Sequence, residues 1–103
     1  MDVQLKKGIL DMCVLFALSK GESYGYKIIS DLNGVIEISE STLYPILKRL
    51  EGGDYITART AEYNGRLRRY YKLTQSGLTK LQSGKEDLQE IHSIYQTIFG
   101  GRV

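Results

Sequence analysis

Asn64-Gly65 stands between two runs rich in tyrosine and arginine, and no other dipeptide narrows the fold of this chain so far. A type I′ turn needs positive φ at both central positions, which asparagine and glycine tolerate, so the pair predicts a β-hairpin with a two-residue loop. Tyr63 then faces Arg66, and pairing back from there sets Ala58 opposite Tyr71 and Ile56 opposite Leu73. Period-two alternation puts those four on one face, against a core. Arg66, Arg68 and Arg69 fall at or near the tip, where no core can use them. Like charges around a tight turn repel one another, which makes a poor structural device but a good probe for phosphates or a minor groove. The plainer reading is an edge strand blunted by charge.

The stretch before the hairpin predicts a helix over about residues 40–51 with Ser39 as its N-cap. Leu43, Ile46, Leu47 and Leu50 follow at i, i+3, i+4 and i+7, so one face is apolar. The opposite face carries Ser41, Pro45, Lys48 and Arg49, with Thr42 and Tyr44 on its edges. Small hydroxyls, an aromatic ring and two cations suit a groove edged by phosphates, although such a face is often only solvated. Pro45 cannot donate to Ser41, and its place near the N-terminus limits the damage to the helix.

The formal net charge of +2 implies little, but its distribution is uneven. From Thr42 to Lys72 the cations Lys48, Arg49, Arg59, Arg66, Arg68, Arg69 and Lys72 face only Glu51, Asp54 and Glu62. From Thr74 to Phe99 the balance reverses, with Lys80 and Lys85 against Glu86, Asp87 and Glu90. Positive charge is therefore concentrated on the helix and hairpin.

Upstream, a first helix is expected from about Val3 to Ser19, ending at Lys20-Gly21. Its second half, Met12 to Leu18, is apolar almost all round, which calls for cover on more than one side, from its own domain and from another chain. Ser23 is the expected N-cap of a second helix, Tyr24 to Leu32, with Ile28, Ile29 and Leu32 as its buried stripe and Asn33-Gly34 as its stop. Val35 to Ile38 reads as a one-strand link. Two short helices joined this way, the second with a cationic face, make a helix-turn-helix.

A last helix is expected to open at Thr74 and stop at Gly100-Gly101. Leu81, Leu88, Ile91, Tyr95 and Ile98 form a short heptad seam, with Gly84 where a further apolar residue belongs. The expected homodimer interface combines Leu10 and Val14 of the first helix with Leu88, Ile91, Tyr95 and Ile98 of the last; the alternative is a seam folded back on its own domain.

The fold class is thus mainly α with a β-hairpin: a winged helix-turn-helix over residues 1–73, its wing at about 55–73, and an added dimerisation helix over 74–99. A chain of 103 residues bounds this to one modest core. Catalysis has little support, because His92 is the sole histidine and no second acid or base stands at a helpful spacing. No Cys and His cluster suits zinc, Gly52-Gly53 lacks the lysine of a phosphate loop, and no cofactor is implied. Cys13, the single cysteine, reads as a small buried hydrophobe rather than a redox sensor and fits a reducing cytoplasm. The apolar run around it is too short to cross a membrane, and Met1 to Lys7 lacks the features of a signal peptide.

Ser23-Tyr-Gly-Tyr-Lys-Ile-Ile29, Ser41-Thr-Leu-Tyr-Pro-Ile-Leu-Lys-Arg-Leu-Glu51 and Gly65-Arg-Leu-Arg-Arg-Tyr-Tyr-Lys-Leu-Thr-Gln-Ser-Gly77 resemble the three signature blocks of PadR-type regulators, in the family's order and spacing. With Lys7 to Leu15 the resemblance covers nearly the whole chain. It implies a dimeric winged-helix transcription factor, sequence-specific for double-stranded DNA, usually a repressor and often released by a small aromatic or cationic effector. Carried over by position, the helix contacts to DNA are Ser41, Thr42, Tyr44, Lys48 and Arg49. The wing contacts are Arg66, Arg68 and Arg69, and Tyr24 reaches a phosphate. The short C-terminus resembles the subclass with one C-terminal helix. Some short members stack flat ligands on a tryptophan there; this chain has none, and Tyr95 or Phe99 are the substitutes on offer. A rival reading keeps the same hairpin but gives it an acidic protein partner, without operator preference. A second rival is a ligand-binding dimer with no DNA function.

Overall fold

A computed structural model describes residues 1–101, arranged as four helices and a small antiparallel sheet. Helix α1 (Val3–Ser19) starts at Asp2, whose carboxylate accepts from the Leu5 amide at 3.1 Å, and stops at Lys20 before Gly21 at φ 138°. It runs through the middle of the molecule. Leu10, Val14, Leu15, Ala17 and Leu18 are buried among the other elements, and only Val3, Leu5 and Phe16 leave large apolar surface exposed along its length.

Strand β1 (Ser23–Tyr24) leads directly into α2 (Gly25–Leu32). This corrects the expected cap: the N-cap residue is Tyr24, while the Ser23 side chain is buried opposite Tyr71 and its hydroxyl makes no hydrogen bond. Residues 35–38 are not a strand, because no sheet edge lies beside them to pair with; Ile38 drops into the core and Ser39 begins α3 (Glu40–Gly52). The Ser39 hydroxyl accepts from the Thr42 amide at 3.3 Å, and Leu43, Ile46, Leu47 and Leu50 are all buried, as their spacing requires.

Strands β2 (Ile56–Tyr63) and β3 (Arg66–Leu73) form the hairpin. Asn64 at φ 51° and Gly65 at φ 75° make its turn, and the register sets Tyr63 opposite Arg66, Ala58 opposite Tyr71 and Ile56 opposite Leu73. The strand order is β1-β3-β2, so the two-residue β1 caps the inner edge of the hairpin and ties it to the start of α2.

Helix α4 (Gln75–Phe99) is capped by Thr74, whose hydroxyl accepts from the Gly77 amide at 3.0 Å and donates to the Asp54 and Tyr55 carbonyls. Its first turns pack on the domain and the rest projects, which gives the molecule a long axis of 61 Å against 25 and 22 Å. Gly84 explains the gap in the apolar seam: a Cβ there would lie 2.0 Å from the sulfur of Met12, so the missing side chain is the notch that receives α1. Beyond it, Leu88, Ile91, Ile94, Tyr95, Ile98 and Phe99 stand exposed on one chain.

Candidate nucleic-acid interface

The exposed side of α3 and the wing enclose an open groove of about 500 Å³ whose walls include Tyr24, Tyr44, Arg66, Arg68 and Arg69. Ser41, Thr42, Tyr44 and Lys48 all face outward from α3, opposite its buried leucines. The Ser41 and Thr42 hydroxyls gather around that of Ser39, at 3.0 and 3.1 Å, so the cap also orders the first polar turn. Tyr44 leans onto the start of α2. Its hydroxyl lies so close to Gly25 that a Cβ there would come within 2.5 Å of it, and this contact sets how closely the two helices approach.

The arginines divide by partner. Arg49, in the last turn of α3, is ion-paired with Asp11 of α1, which turns it away from the groove and braces the helix against the centre of the fold. Arg69 donates to both carboxylate oxygens of Glu51, at 3.2 and 3.0 Å, and so ties the wing to the end of α3; this hydrogen-bonded carboxylate raises the guanidinium's already high pKa further. Arg59 makes a fork to Glu22 with both contacts at 2.7 Å, which holds the Glu22 carboxyl below its usual range chiefly through the hydrogen bond. Arg66 and Lys48 are exposed and have no acidic partner among the described residues. Arg68 has none either, but it is packed against rings: its guanidinium carbon is 3.9 Å from the centre of the Tyr24 ring and 4.0 Å from that of Tyr63.

The expected contact residues therefore fall into two groups. Tyr44, Arg66 and Arg68 line the groove together and Ser41, Thr42 and Lys48 are exposed on α3, whereas Arg49 and Arg69 are engaged in bracing α3, Arg69 from the groove wall. Tyr24 is at the groove, stacked edge-to-face on Tyr70 with ring centres 5.8 Å apart. Sequence reasoning missed Glu22, Arg59 and Tyr63. The first two meet across 37 residues and leave no local trace; Tyr63 is legible as an aromatic beside the turn, but its place beside Arg68 depends on the fold.

Of the expected dimer residues, Leu88, Ile91, Tyr95 and Ile98 are exposed, between 40% and 62%. Leu10 and Val14 require correction. Val14 is fully enclosed and Leu10 nearly so, because α1 is covered by its own domain on the side those residues face. Cys13 is partly buried, and burial pushes its thiol pKa up, against a reactive role. Among the described residues no helix is long and apolar enough to cross a membrane and no His, Cys, Asp and Glu cluster could hold a metal.

The model of the PadR-like family of transcriptional regulators matches residues 14–83, which run from the last third of α1 to the first turns of α4. Among solved structures, the chain is similar to a PadR-like transcription factor from Bacteroides fragilis, with 33% identity, a TM-score of 0.80, and coverage of 92% of this chain and 94% of that one. It is also similar to the smu.1704 protein of Streptococcus mutans, at 37% identity and a TM-score of 0.83, over 94% and 92% of the two chains. A third likeness is to Bacillus subtilis PadR, solved in complex with operator DNA: 32% identity and a TM-score of 0.68, over 73% of this chain and 46% of that longer one. With the winged helix-turn-helix complete and the family match covering most of its length, this chain belongs to the PadR-like family of transcriptional regulators, and it is a regulator rather than an enzyme.

Proposed function

We propose that the chain is a cytoplasmic repressor that binds operator DNA as a homodimer and leaves it when a small aromatic effector binds. The observation that carries the DNA contact is the groove between α3 and the wing, where Tyr44 stands with the guanidinium groups of Arg66 and Arg68, which have no acidic partner among the described residues, while Ser41, Thr42 and Lys48 are exposed on the same helix. In this arrangement the first turns of α3 enter a major groove and the wing lies along the adjacent backbone or minor groove. Dimerisation is supported by the exposed apolar face of α4, which would leave Leu88, Ile91, Tyr95 and Ile98 in water on an isolated chain. Two copies packed there bring two recognition helices to one DNA face. For the effector, the support is the Tyr95 and Phe99 pair, with ring centres 5.6 Å apart on that same face.

The test is a titration of the purified protein against the duplex upstream of its own gene and a scrambled duplex of equal length, at near-physiological salt. The expected result is a preference of about a thousandfold or more, with one dimer over two half-sites about one helical turn apart. Equal affinity for both duplexes would instead favour a protein partner for the wing.

A further inference from the structure

Three tyrosines stand around one cation near the hairpin tip. Arg68, Tyr63 and Tyr70 share the hairpin face opposite the core, and Tyr24 joins them because β1 pairs its position with Tyr70. The Arg68 guanidinium carbon lies 3.9 Å from the Tyr24 ring centre, 4.0 Å from that of Tyr63 and 6.0 Å from that of Tyr70. Contact at about 4 Å with two rings holds the planar cation from two sides. Of the hairpin arginines, Arg59 and Arg69 are given to Glu22 and Glu51, but Arg68 meets only π faces, which leave its N–H groups without an acceptor among the described residues. It is also less exposed than Arg66 and Leu67, which lie nearer the tip.

We infer that Tyr24 and Tyr63 are positioning residues that clamp Arg68 in advance of binding, so that it meets a DNA phosphate or minor-groove edge without first being ordered. The clamp replaces the role expected of Tyr24, a phosphate contact, with one that acts through another residue. Preorganisation matters for arginine because its long side chain otherwise loses rotamer freedom at the moment of contact. Lysine cannot take the place: its compact ammonium offers no plane to stack and no fork of donors. The inference rests on the DNA reading of the wing, but a phosphate contact is blind to sequence, so its test does not need an operator.

The experiment measures binding of the full chain to its upstream duplex and to the scrambled duplex for wild type, Tyr63→Phe, Tyr63→Leu, Arg68→Lys and the double variant Tyr63→Leu with Arg68→Lys. Tyr63→Phe keeps the ring and is expected within about twofold of wild type, whereas Tyr63→Leu weakens both duplexes about fivefold. Tyr63→Leu is expected to cost nothing further in the Arg68→Lys background, where there is no stack to lose. In the DNA-free protein, ring currents should shift the Arg68 side-chain proton resonances upfield, and the shift should persist in Tyr63→Phe and collapse in Tyr63→Leu. Equal losses for Phe and Leu, or additive losses in the double variant, would overturn the clamp, as would Arg68 resonances at random-coil positions. If wild type binds both duplexes alike, operator specificity fails while the contrast between Phe and Leu still decides the clamp. Should thermal melting show Tyr63→Leu unfolded, the same comparison is made with Tyr24→Phe and Tyr24→Leu.

Discussion

Gly77→Ala separates close packing from helix propensity. The residue lies in the first turn of α4, where alanine improves on glycine by up to about 1 kcal/mol in a helix interior. Against this, a Cβ at Gly77 would stand 2.1 Å from the carbonyl oxygen of Tyr55 and 2.7 Å from Leu73 Cδ1. The leucine tip can turn aside, but the carbonyl cannot move freely. It accepts from the Thr74 amide at 3.1 Å and the Thr74 hydroxyl at 3.0 Å, so retreat strains the cap that starts the helix. Overpacking costs about 1–3 kcal/mol, and each weakened hydrogen bond adds about 1 kcal/mol. The net expectation is a loss of about 2 kcal/mol, or a fall in Tm of roughly 8–16 °C for a chain of this size. Thermal and urea unfolding at one fixed protein concentration measure it, with Gly84→Ala as the control. There the obstacle is the Met12 side chain, which has rotamers to spare, so the loss should be clearly smaller. A Gly77→Ala protein as stable as its parent would refute the close-approach argument and leave propensity in command.

Three further outcomes are expected. Asp11→Ala and Arg49→Ala should each cost only about 0.5 kcal/mol, since the pair is partly exposed, and the double variant no more than either alone; Arg49→Ala should leave the slope of log K against log salt unchanged, whereas Arg66→Ala should lower it by about one unit. Glu22 should titrate below the ordinary carboxylate range and move up in Arg59→Met, as read by carboxyl NMR. Because the folded pKa is the depressed one, its stabilising effect is present above the unfolded pKa and is lost as pH falls through the folded value, so Arg59→Met should narrow the difference in stability between neutral and acid pH. If the parent sediments as the proposed dimer, Ile91→Asp on the exposed face of α4 should sediment as a monomer at the same concentration; an unchanged dimer would place the interface elsewhere.

What was legible in the chain was what depends on near neighbours. The hairpin register follows from Asn64-Gly65 and alternation alone, and every expected pair is observed. The caps at Ser39 and Thr74 are equally local, each bonding an amide three residues on. Strand β1 was not legible because two residues cannot show a period, and its pairing with Tyr70 and Tyr71 is set by the return of β3. The same distance hid the bracing of Arg49 and Arg69, which the helix face and the hairpin tip respectively assign to the cationic surface but which the fold places within reach of Asp11 and Glu51. The enclosure of Val14 by its own domain is hidden for a related reason: a helix apolar all round must be covered, but its sequence does not say by what.

The braces at the end of α3 bear on how duplicated genes of this kind can diverge. Replacing Arg49 strands Asp11, and replacing Arg69 strands Glu51, so a change at either position carries a folding cost, a small one for these partly exposed pairs. Ser41 and Lys48 carry no such debt: among the described residues the Ser41 side chain hydrogen-bonds only the cap hydroxyl and Lys48 has no acidic partner. On the proposed DNA contacts, a daughter copy acquiring a new target is therefore expected to explore those two sites first.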